Sequence, residues 1–151
     1  MESIQKEKAT YPTKNDDFFP YSDNEHSMWT GYFTSRVALK GFVKDMSRFT
    51  QAARKHLSEL KISGASDIVK DNAKPIEEAI WGMEMALGIL QHHDGVSGTA
   101  RQHVTDDYIA TGLRAIEVFN KIYNQIKKEE IQKETGESIN ADDLKINMFW
   151  N

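Results

Sequence analysis

The chain has 151 residues, of which 39% are hydrophobic and 28% are charged, with a formal net charge of -4 and no cysteine. This length suits one domain with a modest core, and the net negative charge without a Lys/Arg block argues against a nucleic-acid-binding surface. The missing cysteines exclude internal disulfides and thiolate metal sites, and no apolar run approaches the roughly 20 residues that span a bilayer.

The N-terminal 34 residues are predicted to be irregular and rich in aromatic side chains. Residues 1 to about 17 form a polar strand or linker without the apolar core of a signal peptide. Large rings in irregular backbone indicate packing against another surface or a ligand. The rings of residues 18–33 are Phe18, Phe19, Tyr21, Trp29, Tyr32 and Phe33.

The first helix is predicted over residues 35–60, where apolar side chains recur at steps of three and four residues. Residues 62–73 are predicted to be its connection to the next helix. The buried stripe of the first helix is expected to hold Leu39, Phe42, Val43, Met46, Phe49, Ala53, Leu57 and Leu60.

The second and third helices complete the pattern. The second begins near Pro75, a residue favoured in a first helical turn, and stops at Asp94 and Gly95. The third starts after Gly98, runs to about residue 133 and is ended by Gly136. The predicted stripe of the second helix is Ile76, Ala79, Ile80, Met83, Leu87 and Leu90, and that of the third is Val104, Tyr108, Ile109, Gly112, Leu113, Ile116, Phe119, Tyr123 and Ile126.

The sequence therefore predicts an all-α fold, an antiparallel three-helix bundle with an irregular aromatic-rich N-terminal segment. The domain boundaries are placed at residues 1–34, 35–136 and 137–151. The last segment begins a following region, and its apolar end at residues 146–150 fits either the start of a strand or a frayed terminus.

Metal-capable side chains cluster at the end of the second helix, in His92-His93-Asp94. Neighbouring helical residues point about 100° apart, so only one imidazole is expected to face a common pocket. Zinc takes roughly three to four protein ligands of His, Asp, Glu or Cys type, and the turn supplies at most His93 and Asp94. His103 lies near in sequence without obviously converging. From local chemistry alone, this is half a metal site.

Structural roles compete with each of these functional interpretations. A His-His-Asp run at a helix end is typical of a capping and solubility feature, and Asp-Gly is a common turn. Trp29 alone suits a core position, and Asp23 suits a turn. The remaining histidines are predicted to be surface or interface residues; they are His26, His56 and His103.

Two long motifs give a more specific indication of function than the local chemistry does. Residues 17–23, Asp-Phe-Phe-Pro-Tyr-Ser-Asp, and residues 29–36, Trp-Thr-Gly-Tyr-Phe-Thr-Ser-Arg, resemble the segment that leaves the catalytic barrel of class II α-mannosidases, glycoside hydrolase family 38. Residues 90–104 resemble the signature of that family's middle domain. Close matching covers residues 16–107 and looks nearer to the lysosomal or vacuolar branch than to the Golgi branch. One departure is Val37, where the family commonly has proline.

The resemblance implies roles for individual residues. His93 matches the zinc ligand of the family's middle domain, and Asp94 matches a residue that binds substrate hydroxyls beside the metal. Trp29 matches an aromatic residue lining the mannose pocket, and Asp23 matches a residue near its outer rim. His92 is expected to support the turn without touching the Zn²⁺ ion.

The resemblance also implies a parent enzyme. It would be a zinc-dependent retaining α-mannosidase, lysosomal, vacuolar or secretory, that cleaves terminal α-linked mannose from N-glycans and related oligosaccharides. The nucleophile, the acid/base and the other zinc ligands belong to the family's barrel and match no segment here, so no catalytic residue is assigned. The chain is expected to be an inactive fragment whose partners are the barrel, the C-terminal β domains and mannose-containing oligosaccharides, with no nucleic acid or membrane.

Two alternatives remain open. A non-catalytic helical-bundle module would bind a protein partner through the aromatic stretch of residues 18–33, and it is motivated by the missing catalytic carboxylates. A self-sufficient metalloprotein would bind zinc tightly with this chain alone.

Overall fold

Three long helices carry the fold of the computed structural model, which describes residues 10–64 and 66–140. Helix α1 spans Val37–Ser63, α3 spans Ala73–Leu90 and α4 spans Gln102–Thr135, with a short helix α2 at Asp67–Asp71. The predicted all-α class and three-helix bundle are confirmed.

The relative directions of α1 and α3 follow from two ion pairs. Arg54 of α1 lies 2.8 Å from Glu84, and Lys61, one to two turns further along α1, pairs with Glu77 of α3. Residue numbers rise along α1 while they fall along α3, so these two helices are antiparallel.

Ring contacts give the direction of α4 relative to α1. The ring centroids of Phe49 and Phe119 lie 5.5 Å apart, and those of His56 and Tyr123 lie 5.8 Å apart. Numbers rise together here, so α1 and α4 are parallel and the bundle runs up, down and up. Gly112 allows this close packing, because a Cβ on it would lie 3.0 Å from the Phe42 ring.

The core lies between the three long helices and matches the predicted stripes closely. Leu113 is the exception, because its side chain is 52% exposed. The buried stripe of α4 runs through Gly112, Ile116 and Phe119, and Leu113 lies about 100° around the helix from Gly112. The buried apolar side chains are Leu39, Val43, Met46, Phe49, Ala53, Leu57, Val69, Ile76, Ala79, Ile80, Met83, Ala86, Leu90, Ile116, Phe119 and Ile126.

The connection predicted over residues 62–73 contains α2, which the sequence analysis missed. The Ser66 hydroxyl caps this helix by accepting a hydrogen bond from the Val69 amide at 3.3 Å, and Val69 is buried. Five residues are too few to show a 3.6-residue periodicity, so only the cap could have indicated the helix. The first helix also continues to Ser63, and the second begins at Ala73 with Pro75 in its first turn.

The aromatic-rich stretch of residues 18–33, predicted to be irregular, contains a small antiparallel hairpin. Its strands are β1 at Ser22–Asn24 and β2 at Ser27–Met28, with an irregular register between them. The Asn24 side chain closes the turn by accepting a hydrogen bond from the His26 amide at 3.0 Å, as asparagine commonly does in turns. A 3₁₀ turn follows at Gly31–Phe33, and the chain divides into two units between residues 31 and 32.

The signals in the sequence for the ends of the helices can be compared with where α1 and α4 begin and end. Gly136 ends α4 with a φ of 74°, as predicted. Val37 opens α1, so a proline there would cost no helical hydrogen bond. Residues 137–140 have no regular structure, while the apolar end at residues 146–150 lies outside the described residues. The boundaries at residues 1–34, 35–136 and 137–151 remain a prediction.

Candidate metal centre

The turn of residues 91–100 carries the candidate site and begins earlier than predicted. Helix α3 ends at Leu90, not at Asp94, because the Leu90 carbonyl accepts the Val96 amide at 2.8 Å instead of continuing the helical ladder. Gly95 makes this closure possible, since a Cβ there would lie 2.7 Å from the Leu90 oxygen. His92 and His93 are therefore turn residues and not helical ones.

The three candidate ligands converge in this turn. One ligand atom from each of His92, His93 and Asp94 can be chosen so that all lie within 4.8 Å of one another. The two imidazole centroids are 4.2 Å apart, and their Nε2 atoms lie 3.8 Å (His92) and 3.4 Å (His93) from Asp94 Oδ2. The expected separation of about 100° between the two imidazoles assumed a helix through both residues, and that premise is wrong because the helix ends at Leu90.

The Asp94 carboxylate is held by a hydroxyl network that the sequence analysis did not single out. Thr99 Oγ1 donates to Asp94 Oδ1 at 2.6 Å, and Ser97 Oγ lies 2.8 Å from Thr99 Oγ1. The Thr99 hydrogen bond, helped by the neighbouring imidazoles, holds the pKa of the Asp94 carboxyl below its usual value against the effect of burial. The two hydroxyls in Ser97-Gly98-Thr99, just beyond the acidic residue, were the available signal.

This donor set fits a divalent metal ion of the zinc type. Imidazole nitrogens and a carboxylate oxygen are zinc ligands, and the group is open to solvent, with 83% of the His93 side chain exposed. His103 is exposed on α4 and does not belong to the group. Among residues 10–64 and 66–140, this is the single group of three or more such side chains.

Comparisons with known proteins show the family to which the chain belongs. The model of the alpha mannosidase middle domain matches residues 27–129. The chain belongs to this family. It is 38% identical over 138 residues to the lysosomal alpha-mannosidase of Cavia porcellus, which covers 87% of this chain and 13% of that protein.

Two further relatives give the same picture. The Dictyostelium discoideum lysosomal alpha-mannosidase is 40% identical over 109 residues, covering 72% of this chain and 10% of the relative. A probable alpha-mannosidase of Arabidopsis thaliana is 47% identical over 101 residues, covering 67% and 9%. The chain thus spans about a tenth of the length of these relatives. No solved structure matches it significantly.

Two other predicted site residues of this middle-domain chain lie together in the N-terminal unit. The Trp29 indole donates from Nε1 to Asp23 Oδ2 at 3.0 Å, and Tyr21 meets the Trp29 ring edge-on at a centroid distance of 5.2 Å. Trp29 is 53% exposed and so does not occupy a core position. The hydrogen bond fixes the ring plane and leaves the indole accessible.

The other histidines of the alpha-mannosidase middle domain differ in burial. His26 and His103 are exposed, as predicted. His56 is partly buried, with Nε2 shielded from solvent and its ring against Tyr123, so of the two predicted positions, surface or interface, it does not occupy the surface one. It lies on the α1 face that packs on α4. Within the described ranges, no helix combines the length and apolarity needed to cross a membrane.

Proposed function

We propose that this chain is the part of an α-mannosidase that supplies His93 as a ligand to a zinc ion and Asp94 as a hydroxyl-binding group beside it. The convergence of His92, His93 and Asp94 within 4.8 Å supports the proposal, since the chain belongs to a family of α-mannosidase middle domains. The parent enzyme hydrolyses terminal α-linked mannose with retention of configuration and acts in a vacuole or in a lysosome, and the lysosome is the compartment named for several relatives.

The residues of this chain bind and orient, and they do not break the glycosidic bond. When bound, zinc supplies a Lewis-acidic template for sugar hydroxyls. His93 offers an imidazole lone pair from an exposed position. Asp94 stays ionised because Thr99 donates to its Oδ1, which leaves Oδ2 directed toward the imidazoles. A carboxylate held in this way accepts a hydrogen bond from a hydroxyl without first reorganising.

His92 is proposed to support the turn. Its ring centroid lies 4.2 Å from that of His93 and 6.5 Å from that of Tyr108 on α4, and 45% of its side chain is exposed, less than the 83% of His93. A packed neighbour of this kind restricts the orientation of the ligand ring, which groups around a metal site commonly do.

Trp29 and Asp23 are proposed to contact the mannose-containing oligosaccharide. An exposed indole face offers a flat apolar surface to the C–H groups of a sugar ring, and the bond to Asp23 keeps the plane of Trp29 fixed. The second oxygen of Asp23 is an additional acceptor for hydroxyls at the rim.

The nucleophile, the acid/base and the remaining zinc ligands are proposed to come from the rest of the parent protein. Retaining glycosidases use two carboxyl groups about 5 Å apart. The C-terminal β domains are proposed to complete the same protein.

A chimera tests the proposal. The matching 109-residue segment of the Dictyostelium lysosomal alpha-mannosidase is replaced by that of this chain, and hydrolysis of an aryl α-mannoside and bound zinc are measured. We expect an active, zinc-containing enzyme. His93→Ala is expected to lose zinc and at least about a hundredfold in kcat/KM, because a ligand is removed.

The matched control is His103→Ala, which removes an exposed imidazole outside the group and should leave both measurements unchanged. Full activity and zinc content in His93→Ala would contradict the role of His93. An Asp94→Asn enzyme that retains zinc but loses kcat/KM would support the hydroxyl-binding role of Asp94.

A further inference from the structure

The turn that carries His92, His93 and Asp94 is bound by side chains just before and in the first turn of α1. The side chains of Ser35, Arg36 and Lys40 all donate hydrogen bonds to backbone carbonyls of residues 96–100. These carbonyls do not take part in the backbone hydrogen bonds of the turn itself. Donors from elsewhere in the fold must therefore satisfy them.

Arg36 makes the most extensive of these contacts. Its Nη1 donates to the carbonyls of Gly98 at 2.6 Å and Ala100 at 2.7 Å, and its Nη2 lies 3.4 Å from Gln102 Oε1. The rigid guanidinium plane bridges the last residues of the turn and the first residue of α4. Charge-assisted hydrogen bonds of this length are roughly twice as strong as neutral ones.

Lys40 and Ser35 hold the preceding carbonyls. Lys40 Nζ donates to Val96 at 2.9 Å and to Ser97 at 2.6 Å, and Ser35 Oγ donates to Gly98 at 2.7 Å. Lys40 lies one helical turn after Arg36, so the two cations grip successive parts of the turn from one face of α1.

The backbone on both sides is unusual where the two segments meet. Arg36 has a φ of 48°, the one positive value outside glycine in the described part of the chain. Gly98 has a φ of 74°, and a Cβ on it would lie 2.5 Å from the Ser35 oxygen. Strained residues of this kind persist where surrounding contacts fix them, and they concentrate near functional sites.

Hydrogen bonds within the turn connect the held carbonyls to the candidate ligands. The Ser97 hydroxyl donates to the His93 carbonyl, and the Thr99 hydroxyl donates to Asp94 Oδ1. The carbonyls gripped by Lys40 and Arg36 belong to Ser97 itself and to the residues flanking Thr99. Fixing this backbone therefore fixes the positions from which both hydroxyls act.

We infer that Arg36 and Lys40 are positioning residues that hold the turn of residues 91–100 in the shape that aligns His93 and Asp94 for metal and sugar hydroxyls. The inference rests on the proposed function, since it assigns the two cations to the same site. Neither side chain touches the metal or the sugar.

The turn itself is tested by hydrogen–deuterium exchange on the full chain. In Arg36→Met, which keeps length and removes the donors, the amides of residues 92–100 should exchange roughly tenfold faster than in the wild type. Lys40→Met should speed exchange in the same residues if the Arg36 variant does not fold. Lys44→Met is the matched control, since Lys44 is an exposed cation on the same helix.

Zinc affinity tests whether this positioning serves the site. Zn²⁺ is titrated into the metal-free Dictyostelium chimera, which contains the other proposed ligands, and bound zinc is measured. Arg36→Met should weaken zinc binding roughly tenfold, and Arg36→Lys should recover part of it, because one ammonium still reaches a carbonyl. Ile126→Ala separates stability from positioning, because it opens the core about 36 Å along α4 from Gln102 and should leave zinc affinity unchanged.

The outcomes separate the two proposals. Wild-type exchange and zinc affinity in both Arg36→Met and Lys40→Met, with zinc binding lost in His93→Ala, would overturn the positioning role and leave the proposed function intact. Wild-type zinc binding in His93→Ala would overturn the metal ligation, while faster exchange in Arg36→Met would still support the grip of α1 on the turn. Equal loss of zinc affinity in Ile126→Ala would also overturn positioning, because stability alone would then explain it.

Discussion

The two oxygens of Asp94 have different surroundings, and this difference gives the residue its chemistry. Oδ1 accepts the Thr99 hydroxyl at 2.6 Å, while Oδ2 faces the imidazoles of His92 and His93. The first contact fixes the plane of the carboxylate and stabilises its charge. The second oxygen is thereby directed toward the two imidazoles, where we propose that a metal ion and sugar hydroxyls bind.

Replacing Thr99 should raise the pKa of Asp94. Thr99→Val keeps the branched shape and removes the hydroxyl that contributes most to the lowered pKa, so the carboxyl should titrate closer to its usual 3.8. The measurement is a carbon-detected NMR titration of the Asp94 carboxyl. Thr111→Val is the control, because the Thr111 hydroxyl contacts Arg114 on α4. An unchanged Asp94 pKa in Thr99→Val would contradict the assignment of the hydrogen bond.

The short helix α2 is joined to α4 by a partly buried polar cluster. Glu130 accepts the Ser66 hydroxyl at 2.6 Å and the Lys127 ammonium at 2.7 Å. Burial disfavours the Glu130 carboxylate, but these two hydrogen bonds and the nearby positive charge outweigh it and lower its pKa below the usual 4.5. The ionised form therefore stabilises the attachment of α2 to the bundle.

The lowered pKa of Glu130 determines how its contribution to stability changes with pH. A carboxyl whose pKa is lower in the folded state contributes stability above its unfolded pKa, and loses it as the pH falls through the folded value. Glu130→Gln removes this contribution, so its free energy of unfolding should fall less than that of the wild type between about pH 5 and about pH 3. Urea unfolding at several pH values measures the difference.

The control for this experiment is Glu137→Gln, which removes a solvent-exposed carboxylate beyond the end of α4. It should follow the wild-type pH dependence. If Glu130→Gln also followed the wild type, the stabilising role of the Glu130 carboxylate would be refuted.

The long helices could be predicted because their apolar residues repeat over many turns. The apolar residues that are buried in the described part of the chain include most of the predicted stripes, and Gly136 ends α4 where its sequence signal stands. Helix α2 was not predicted, because its cap at Ser66 and one buried residue, Val69, leave no repeating pattern in the sequence. Local signals are enough for a helix of several turns and insufficient for one of five residues.

The candidate site was predictable in its residues and not in its shape. His92, His93 and Asp94 were identified from their side chains, but their convergence depends on the amide of Val96 closing on Leu90. The grip of Arg36 on this turn crosses 62 to 66 residues of sequence, which no local pattern records. The shape of the candidate site depends on backbone closure and on long-range contacts, and the sequence reveals neither.

At the scale of the whole molecule, the N-terminal unit exposes large rings. Phe18 and Phe19 are 85% and 87% exposed, and Lys14 lies over both rings at 5.5 Å and 5.6 Å. Adjacent exposed apolar rings are uncommon on soluble proteins unless another surface normally covers them. The parent protein proposed above would supply that surface.

The chain should therefore bind a hydrophobic dye through these rings. Replacing both, Phe18→Ser with Phe19→Ser, should lower the fluorescence of bound anilinonaphthalene sulfonate to less than about half. Ile62→Ser is the control, since Ile62 is equally exposed but lies alone on α1. Dye binding that is absent in the wild type would contradict this interpretation of the aromatic segment.

The hydrogen bonds between the N-terminal end of α1 and the turn of residues 91–100 affect the order of folding. Ser35, Arg36 and Lys40 meet carbonyls that lie 56 to 64 residues away, so their contacts close a long loop and repay its entropy only after the helices have docked. These contacts are therefore expected to form among the last events of folding. A substitution that weakens the docking of the N-terminal end of α1 on the turn should then deplete the population that we propose can bind a metal ion, even where it leaves the ligands untouched.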